Sequence, residues 1–336
     1  VALRQWKAEQ LVIDVPGLVP AELKKLVRRK AQPRWIDPML ATLTESYFSD
    51  PDWVFEPKLD GVRCIAYKKG DRVRLMSRNK LSLNERYPEV VKAVSKLKIK
   101  DVVLDGEVAV VSHGVSRFQS LQRHLLEGGG ALVYFVFDAP HVAGYDVGRL
   151  PLLARKDLLR RAVRPSAAIE LVTHRPENGE AYLEEACAKG WEGLIAKRTA
   201  APYVNGRSKE WLKFKCSKEQ EFVVGGFTDP QGARVGFGAL LVGYYEDGKL
   251  RYAGKVGTGY DTRLLLELTR QLKRLVRDES PFDGPPPVRK NVHWVKPKMV
   301  VQVGFAEWTR DGRLRHPRFL GMRDDKSAQD VVRETS

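Results

Sequence analysis

The sequence predicts an α+β domain followed by an all-β OB-fold domain, with a short basic arm in front. Three observations lead there. The chain has 336 residues, more than one hydrophobic core usually fills. From Trp35 to about Lys215, strand and helix patterns mix without a regular βα alternation, which favours α+β over a doubly wound sheet. Beyond Cys216 the texture changes to short strands with Gly-rich breaks and one inserted helix, the pattern of a small barrel. The boundaries are therefore drawn at 1–34 for the arm, 35–216 for the α+β domain and 217–336 for the OB-fold domain.

Each element has a local reason. In the arm, Val19–Lys30 reads as a helix, because Pro20 suits a first turn and Leu23, Leu26 and Val27 share a face. The arm holds eight cations and three acids, so it is either a solvated surface helix or an arm that touches phosphates. Apolar and β-branched runs mark strands at Trp53–Glu56, Val62–Lys68, Val73–Ser77, Val102–Val111 and Leu132–Asp138. Leu152–Ala162 and Gly179–Lys189 carry helical periodicity. In the C-terminal part, strands are expected at Phe222–Thr228, Ala239–Glu246, Leu250–Val256 and Val300–Thr309, with a helix at Thr262–Val276 and a Pro-rich loop from Pro281 to Pro287.

Composition removes several classes. Apolar residues are 43% and charged residues 30%, enough to bury cores. No apolar run is long enough to cross a membrane as a helix, and the N-terminus is too charged for a secretory signal. The three cysteines, Cys64, Cys187 and Cys216, lie far apart, so no disulfide framework or zinc knuckle is expected and a reducing cytoplasm is the default. The six histidines show no metal-ligand spacing. A net charge of +16 favours a polyanionic partner.

The chemistry concentrates in a few short stretches. In Glu56-Pro57-Lys58-Leu59-Asp60-Gly61-Val62-Arg63, a strand ends, Gly61 permits a turn and a new strand begins, so Lys58 sits at a junction from which it can point into a cleft. A lysine nucleophile must first lose its proton, and at an ordinary pKa only about one in a thousand is neutral near pH 7.4. Asp105 and Glu107, two apart on a strand, project to one face. Phe135 and Phe137 do the same on another strand. Glu192 and Lys197 bracket an apolar strand, and in Trp211-Leu212-Lys213-Phe214-Lys215 two lysines share a face. Paired cations of that kind suit a phosphate, although an amphipathic strand with a solvated face would look the same.

In this order the stretches resemble the covalent nucleotidyltransferase superfamily, which comprises ATP-dependent DNA ligases, RNA ligases and mRNA capping enzymes. Arg323-Asp324-Asp325-Lys326 resembles the last motif of that superfamily. The finer likeness is to the ligase module of bacterial ligase D. It is carried by Pro38-Met39-Leu40-Ala41, Glu56–Arg63, Ser77-Arg78-Asn79, Leu150-Pro151-Leu152 with Arg155-Lys156, Glu192–Arg198 and Arg315–Phe319, and it covers about residues 36–330. Two departures, Ala139-Pro140-His141 after Phe137-Asp138 and Lys80 after Ser-Arg-Asn, affect loop shape.

The resemblance implies an adenylation (nucleotidyltransferase) domain, an OB domain and three phosphoryl transfers: lysyl-AMP formation from ATP, AMP transfer to a 5′-phosphate, and attack by a 3′-hydroxyl. It implies Lys58 as the nucleophile and Lys213 and Lys215 on the α-phosphate. Arg63 and Glu107 would take the ribose hydroxyls, Phe137 would stack on adenine, the backbone around Glu56 would read the base edge, and Lys197 would lie over the nucleotide or near its phosphate. Glu192, with Asp105 as the weaker candidate, would hold Mg²⁺ or Mn²⁺. Arg78 would take the nick 5′-phosphate, and Arg323 and Lys326 the leaving pyrophosphate. Nicked or broken double-stranded DNA is the implied substrate and end joining the implied setting. The bacterial Ku protein is admitted as a partner, although no residue marks a Ku site. A monomer in the bacterial cytoplasm, at the nucleoid and away from membranes, is expected. The alternatives are an RNA ligase, a GTP-using capping enzyme or a nucleic-acid-binding module that has lost catalysis; assays with DNA or RNA strands and ATP or GTP separate them.

Overall fold

Alternation along the strands decides which side chains meet. The computed structural model describes residues 13–284, 286–288 and 290–334, so the first twelve residues of the predicted arm lie outside the described part. Two compact units divide between Cys216 and Ser217.

The first unit runs through α1 (Val15–Leu18), a 3₁₀ turn (Ala21–Leu26), β1 (Arg28–Arg29), β2 (Met39–Leu43), β3 (Asp50–Pro57), β4 (Val62–Lys69), β5 (Arg72–Ser77), α2 (Pro88–Ser95), β6 (Asp101–Ser112), β7 (Val115–Ser116), α3 (Phe118–Glu127), β8 (Ala131–Val142), β9 (Tyr145–Asp146), α4 (Leu152–Ala162), β10 (Ile169–Leu171), β11 (Arg175–Glu177), α5 (Gly179–Ala188), β12 (Gly193–Arg198) and β13 (Gly206–Lys215). One sheet has the order β1-β9-β8-β6-β4-β5, with β7 added at β6 and β10 at β8; the other has the order β11-β3-β12-β13-β2.

In the larger sheet, Val62, Cys64 and Ala66 of β4, Leu104 and Val108 of β6, and Tyr134 and Val136 of β8 face the main core. Fully burying a side chain of this size contributes about 1.5–3 kcal/mol. With period two, the intervening residues of the same strands, Arg63, Asp105, Glu107, Phe135 and Phe137, fall on the other face. In the smaller sheet, Phe55, Leu194, Ala196 and Phe214 form a separate core with Tyr182 and Leu183 of α5. That leaves Glu56, Ile195, Lys197, Trp211, Lys213 and Lys215 on the opposite face.

The second unit contains β14 (Glu219–Thr228), β15 (Leu240–Glu246), β16 (Lys249–Val256), α6 (Thr262–Lys273), β17 (Val276–Arg277), β18 (Val292–Val295), β19 (Val300–Gly304), β20 (Glu307–Trp308), β21 (Leu314–Arg315) and β22 (Arg318–Met322). Its seven-stranded antiparallel sheet curls because β14 is shared. Its first half pairs with β19 and its second half with β18, while β15 runs along the other edge with a register shift between Val224 and Gly226. Gly225 sits in that shift, where a Cβ would come within 2.4 Å of the Phe282 ring. The Asp261 side chain caps α6 by accepting from the Leu264 N–H at 2.8 Å, and Leu265, Leu268 and Leu272 bury the inner stripe of the helix.

Three sequence expectations are corrected. The helix expected over Val19–Lys30 is a 3₁₀ turn followed by extended chain: Val27 is extended and Arg28–Arg29 pair with β9. A lone short helix is marginal, and ladder bonds to β9 with burial of Val15 and Val19 in the main core outweigh it. The strand expected over Val300–Thr309 stops at Gly304, and Glu307–Trp308 joins a separate two-stranded ribbon with Leu314–Arg315. Cys187 and Cys216, read as unrelated, form a disulfide. α5 and the end of β13 bring their Cα atoms within 5.2 Å, a proximity that a separation of 29 residues conceals. Cys64 is buried and unbonded.

Candidate active site

The faces of the two sheets turned away from their own cores meet at Phe137 and Trp211, whose rings contact edge to face with centroids 6.0 Å apart. Around this contact the structure gathers most of the residues singled out in the sequence.

Lys58 follows β3 directly. Its backbone N–H donates to the Gly193 carbonyl at 2.9 Å, and its ammonium pairs with Glu192 Oε1. Gly193 makes this approach possible. Its φ is +145°, and a Cβ there would lie 1.9 Å from the Phe214 carbonyl oxygen, so no other residue fits. Lys215 stands opposite Gly193 in the β12–β13 ladder, and Lys213 opposite Ile195. Lys58, Glu192 and Lys215 therefore surround one backbone position, with Lys213 two residues along on the same face.

Glu192 has one further feature. Its Oε2 is buried and has no hydrogen-bond partner. An orphaned carboxylate oxygen beside an ion pair costs free energy unless a cation or donor joins it. It thus fits a hard divalent cation as a single ligand; among the described residues no cluster of three or more His, Cys, Asp or Glu side chains is placed to hold a metal.

Asp105 does not fit that role, which corrects the sequence reading. It is fully buried, and its two oxygens accept from Arg63 Nε and Nη2, both at 2.6 Å, while Oδ2 also accepts from the Tyr203 hydroxyl at 2.6 Å. Arg63 also donates to the Met39 carbonyl at 3.0 Å and lies over the Phe137 ring at 4.6 Å. Glu107 stands opposite Arg63 in the β4–β6 ladder, on the same face.

Glu56 is buried with two lysines on one carboxylate: Lys156 at 2.6 Å on Oε1 and Lys197 at 2.7 Å on Oε2. Burial pushes the Glu56 carboxyl up, but the two ammonium groups outweigh it and hold the pKa below the ordinary value. Burial pushes Lys197 the other way, and repulsion from Lys156 adds to it; against the pull of Glu56 its pKa settles at about 8. Lys197 Nζ also sits 4.2 Å from the Phe137 centroid and 4.0 Å from that of Trp211.

Arg78 follows β5 at the end where Ser77 pairs with Cys64, next to Arg63. Arg323 and Lys326 belong to the second unit. There the Arg323 guanidinium is buried against Asp325 at 2.9 and 3.0 Å, and Lys326 pairs with Glu221 at 3.2 Å.

Sequence reasoning missed Tyr203 and gave no role to Lys156, Trp211 or the pair Asp138–Arg155, although these four stood in motif stretches. Arg155 and Lys156 sit in a helix whose charges look solvated, yet both are buried. Arg155 chelates Asp138 at 2.8 Å through two nitrogens and donates to the Leu150 and Ala201 carbonyls. Asp138→Ala should therefore destabilise the fold by about 3–5 kcal/mol, because it strands a buried guanidinium. Urea unfolding measures this, and a loss under about 1 kcal/mol would mean the pair is dispensable. Burial alone would raise the Asp138 pKa, but Arg155 holds it below normal. Its stabilisation is complete above the unfolded value of about 3.9 and disappears as pH falls through the depressed native value.

Comparison with known proteins agrees with this geometry. Residues 38–215, more than half of the chain, match the family described as ATP dependent DNA ligase domain. Residues 233–326 match the ATP dependent DNA ligase C terminal region. The multifunctional non-homologous end joining protein LigD of Pseudomonas aeruginosa is 37% identical over 328 residues, covering 95% of this chain and 39% of that protein. LigD of Mycobacterium tuberculosis H37Rv is 38% identical over 306 residues, covering 88% of this chain and 40% of that protein. The chain thus spans about two-fifths of the length of these relatives. A structure of mycobacterial DNA ligase D complexed with ATP and MES superposes with a TM-score of 0.65 at 34% identity, over 89% of this chain and 98% of that one. These matches over both units, with Lys58 held beside Gly193 and the facing cations of β13, lead to one conclusion: the chain belongs to the ATP-dependent DNA ligase family.

Proposed function

We propose that the chain joins DNA ends by three phosphoryl transfers through lysyl-AMP on Lys58. The observation that carries this is the Lys58–Glu192 pair at Gly193, with Lys215 opposite and Glu192 Oε2 unsatisfied. The first unit is read as the adenylation domain, and the curled sheet of the second as an OB-fold.

Lys58 attacks the α-phosphate of ATP, forming an N–P bond as the bond to pyrophosphate breaks. Lys213 and Lys215 lie on the face where that phosphate must sit, and they neutralise its charge without reorganising. Phe137 is assigned to adenine, and the backbone near Glu56 to the base edge. Arg63 and Glu107, opposite each other in the ladder, face the ribose. Asp105 and Tyr203 keep the Arg63 guanidinium in one orientation. Lys197, buried between Glu56 and two rings, is assigned to the floor beneath the nucleotide. A divalent cation such as Mg²⁺ on Glu192 would neutralise phosphate charge and compete with the Lys58 ammonium for the carboxylate. Arg78 is assigned to the 5′-phosphate of the break.

The names of the relatives support DNA repair by non-homologous end joining as the setting; Ku as a partner rests on the likeness to ligase D alone. Intact mass after exposure to ATP and Mg²⁺ tests the chemistry: the gain of one AMP, lost again on nicked DNA, is expected, and an unchanged mass sinks the proposal. Arg323 and Lys326 are assigned to the pyrophosphate, which exists only in the first step. Arg323→Ala and Lys326→Ala should then slow lysyl-AMP formation more than sealing of a pre-adenylylated nick. Equal losses in both assays would move these residues to a structural role.

A further inference from the structure

The segment ahead of residue 38 lies outside both family matches, yet it is built into the first unit. Ile13, Val15 and Val19 are in the main core, and Leu23, Leu26 and Val27 pack against it. Arg28–Arg29 extend the larger sheet as an edge strand, and the Lys30 N–H donates to the Gly144 carbonyl at 2.9 Å. The Gln32 amide donates to the Lys68 carbonyl at 2.8 Å and to Asp101 Oδ1 at 2.9 Å. Arg74 donates to the Arg34 carbonyl at 2.6 Å. The chain is thereby strapped across strand ends from β9 to β5.

Its exposed side is cationic. Lys24, Lys25, Arg28, Arg29, Lys30 and Arg34 are exposed, and Glu22 is the one acid from 21 to 34. Lys30 pairs with Asp146 at 3.4 Å, whereas Lys24, Lys25, Arg28 and Arg29 have no acidic partner within ion-pair distance among the described residues. Leu18, at the end of α1, is the one exposed large apolar side chain between residues 13 and 36. A protein partner would want a cluster of aromatic or aliphatic anchors, which this surface lacks. A polyanion wants fixed cations, which it has. The run from Arg28 to Arg34 spans at most roughly 20 Å, and duplex DNA of that length carries about twelve phosphates on its two strands.

We propose that this strap is a binding surface for the sugar-phosphate backbone of duplex DNA flanking the break. The inference rests on DNA joining as the function. Because the backbone is already held by the ladder, binding orders only side-chain ends and the cost is small. The contact is to phosphates, so it carries no sequence preference.

The core contribution of Val15 and Val19 rules out truncation as a test, since removing the segment would damage the fold. Charge removal is the sound test. The triple variant Lys24→Gln, Arg28→Gln, Arg29→Gln is compared with a control of equal charge, Lys92→Gln, Lys96→Gln, Lys98→Gln, on exposed lysines at and beyond α2. Nicked-duplex affinity is measured against salt, and self-adenylylation is measured without DNA. The slope of log K against log salt should shallow by about two to three in the strap variant, at about 0.9 per phosphate contact, and by less than about one in the control. Self-adenylylation should be unchanged in both. Equal slopes in the strap variant and the wild type, or equal shallowing in strap and control, would overturn the surface. Failure of the wild type to take up AMP would overturn the joining function itself.

Discussion

Lys58→Ala is expected to reduce self-adenylylation to background while leaving the fold and DNA affinity intact. Lys58 is partly exposed at the cleft, so removing its chain leaves no large cavity. Among the described residues the neighbouring lysines stand elsewhere: Lys197 and Lys156 are buried on Glu56, and Lys213 and Lys215 project from the ladder opposite. Incubation with α-labelled ATP and denaturing electrophoresis reads the result directly, and persistent label on the variant would move the nucleophile elsewhere. A nick that is already adenylylated should still be sealed, since that step needs no amine on the enzyme. This separates the loss of a nucleophile from a damaged site.

Glu192→Gln is expected to slow lysyl-AMP formation by roughly a hundred- to a thousandfold, equivalent to about 2.7–4 kcal/mol of lost charge stabilisation. Two effects oppose each other. The amide releases Lys58 from its ion pair, which favours attack. It also removes the negative charge that the unsatisfied Oε2 offers to a cation. The second effect is the larger, because phosphoryl transfer depends on charge neutralisation more than on nucleophile strength. Titration of Mg²⁺ against the adenylylation rate distinguishes them. The variant should lose rate and need more metal; wild-type metal dependence would remove Glu192 from the metal site. Asp105→Asn should leave the metal dependence alone and weaken ATP binding instead, through a loosened Arg63.

The amino-acid order by itself determined most of the long strands, the helices α4, α5 and α6, the change of texture at Cys216 and the motif residues, because these are written in local periodicity and short spacing; α2 and α3 were not legible. Helix α4 is an example: Leu152–Ala162 was legible from its repeat alone. What only the tertiary structure decided was which charges are buried and with whom. Asp105 and Glu192 look alike in sequence, as carboxylates bordering apolar runs. The fold spends Asp105 on Arg63 and Tyr203, from positions 42 and 98 residues away, and leaves an oxygen of Glu192 unsatisfied. Lys156 likewise reaches Glu56 only because α4 packs against β8. The first segment shows the same limit from the other side. Its apolar residues suggested a helix, but pairing with β9 lies more than a hundred residues downstream, and long-range ladder bonds overrode a marginal local preference. Local propensity is set by neighbours in the chain, whereas burial, ion pairing and register depend on contacts that no local window contains.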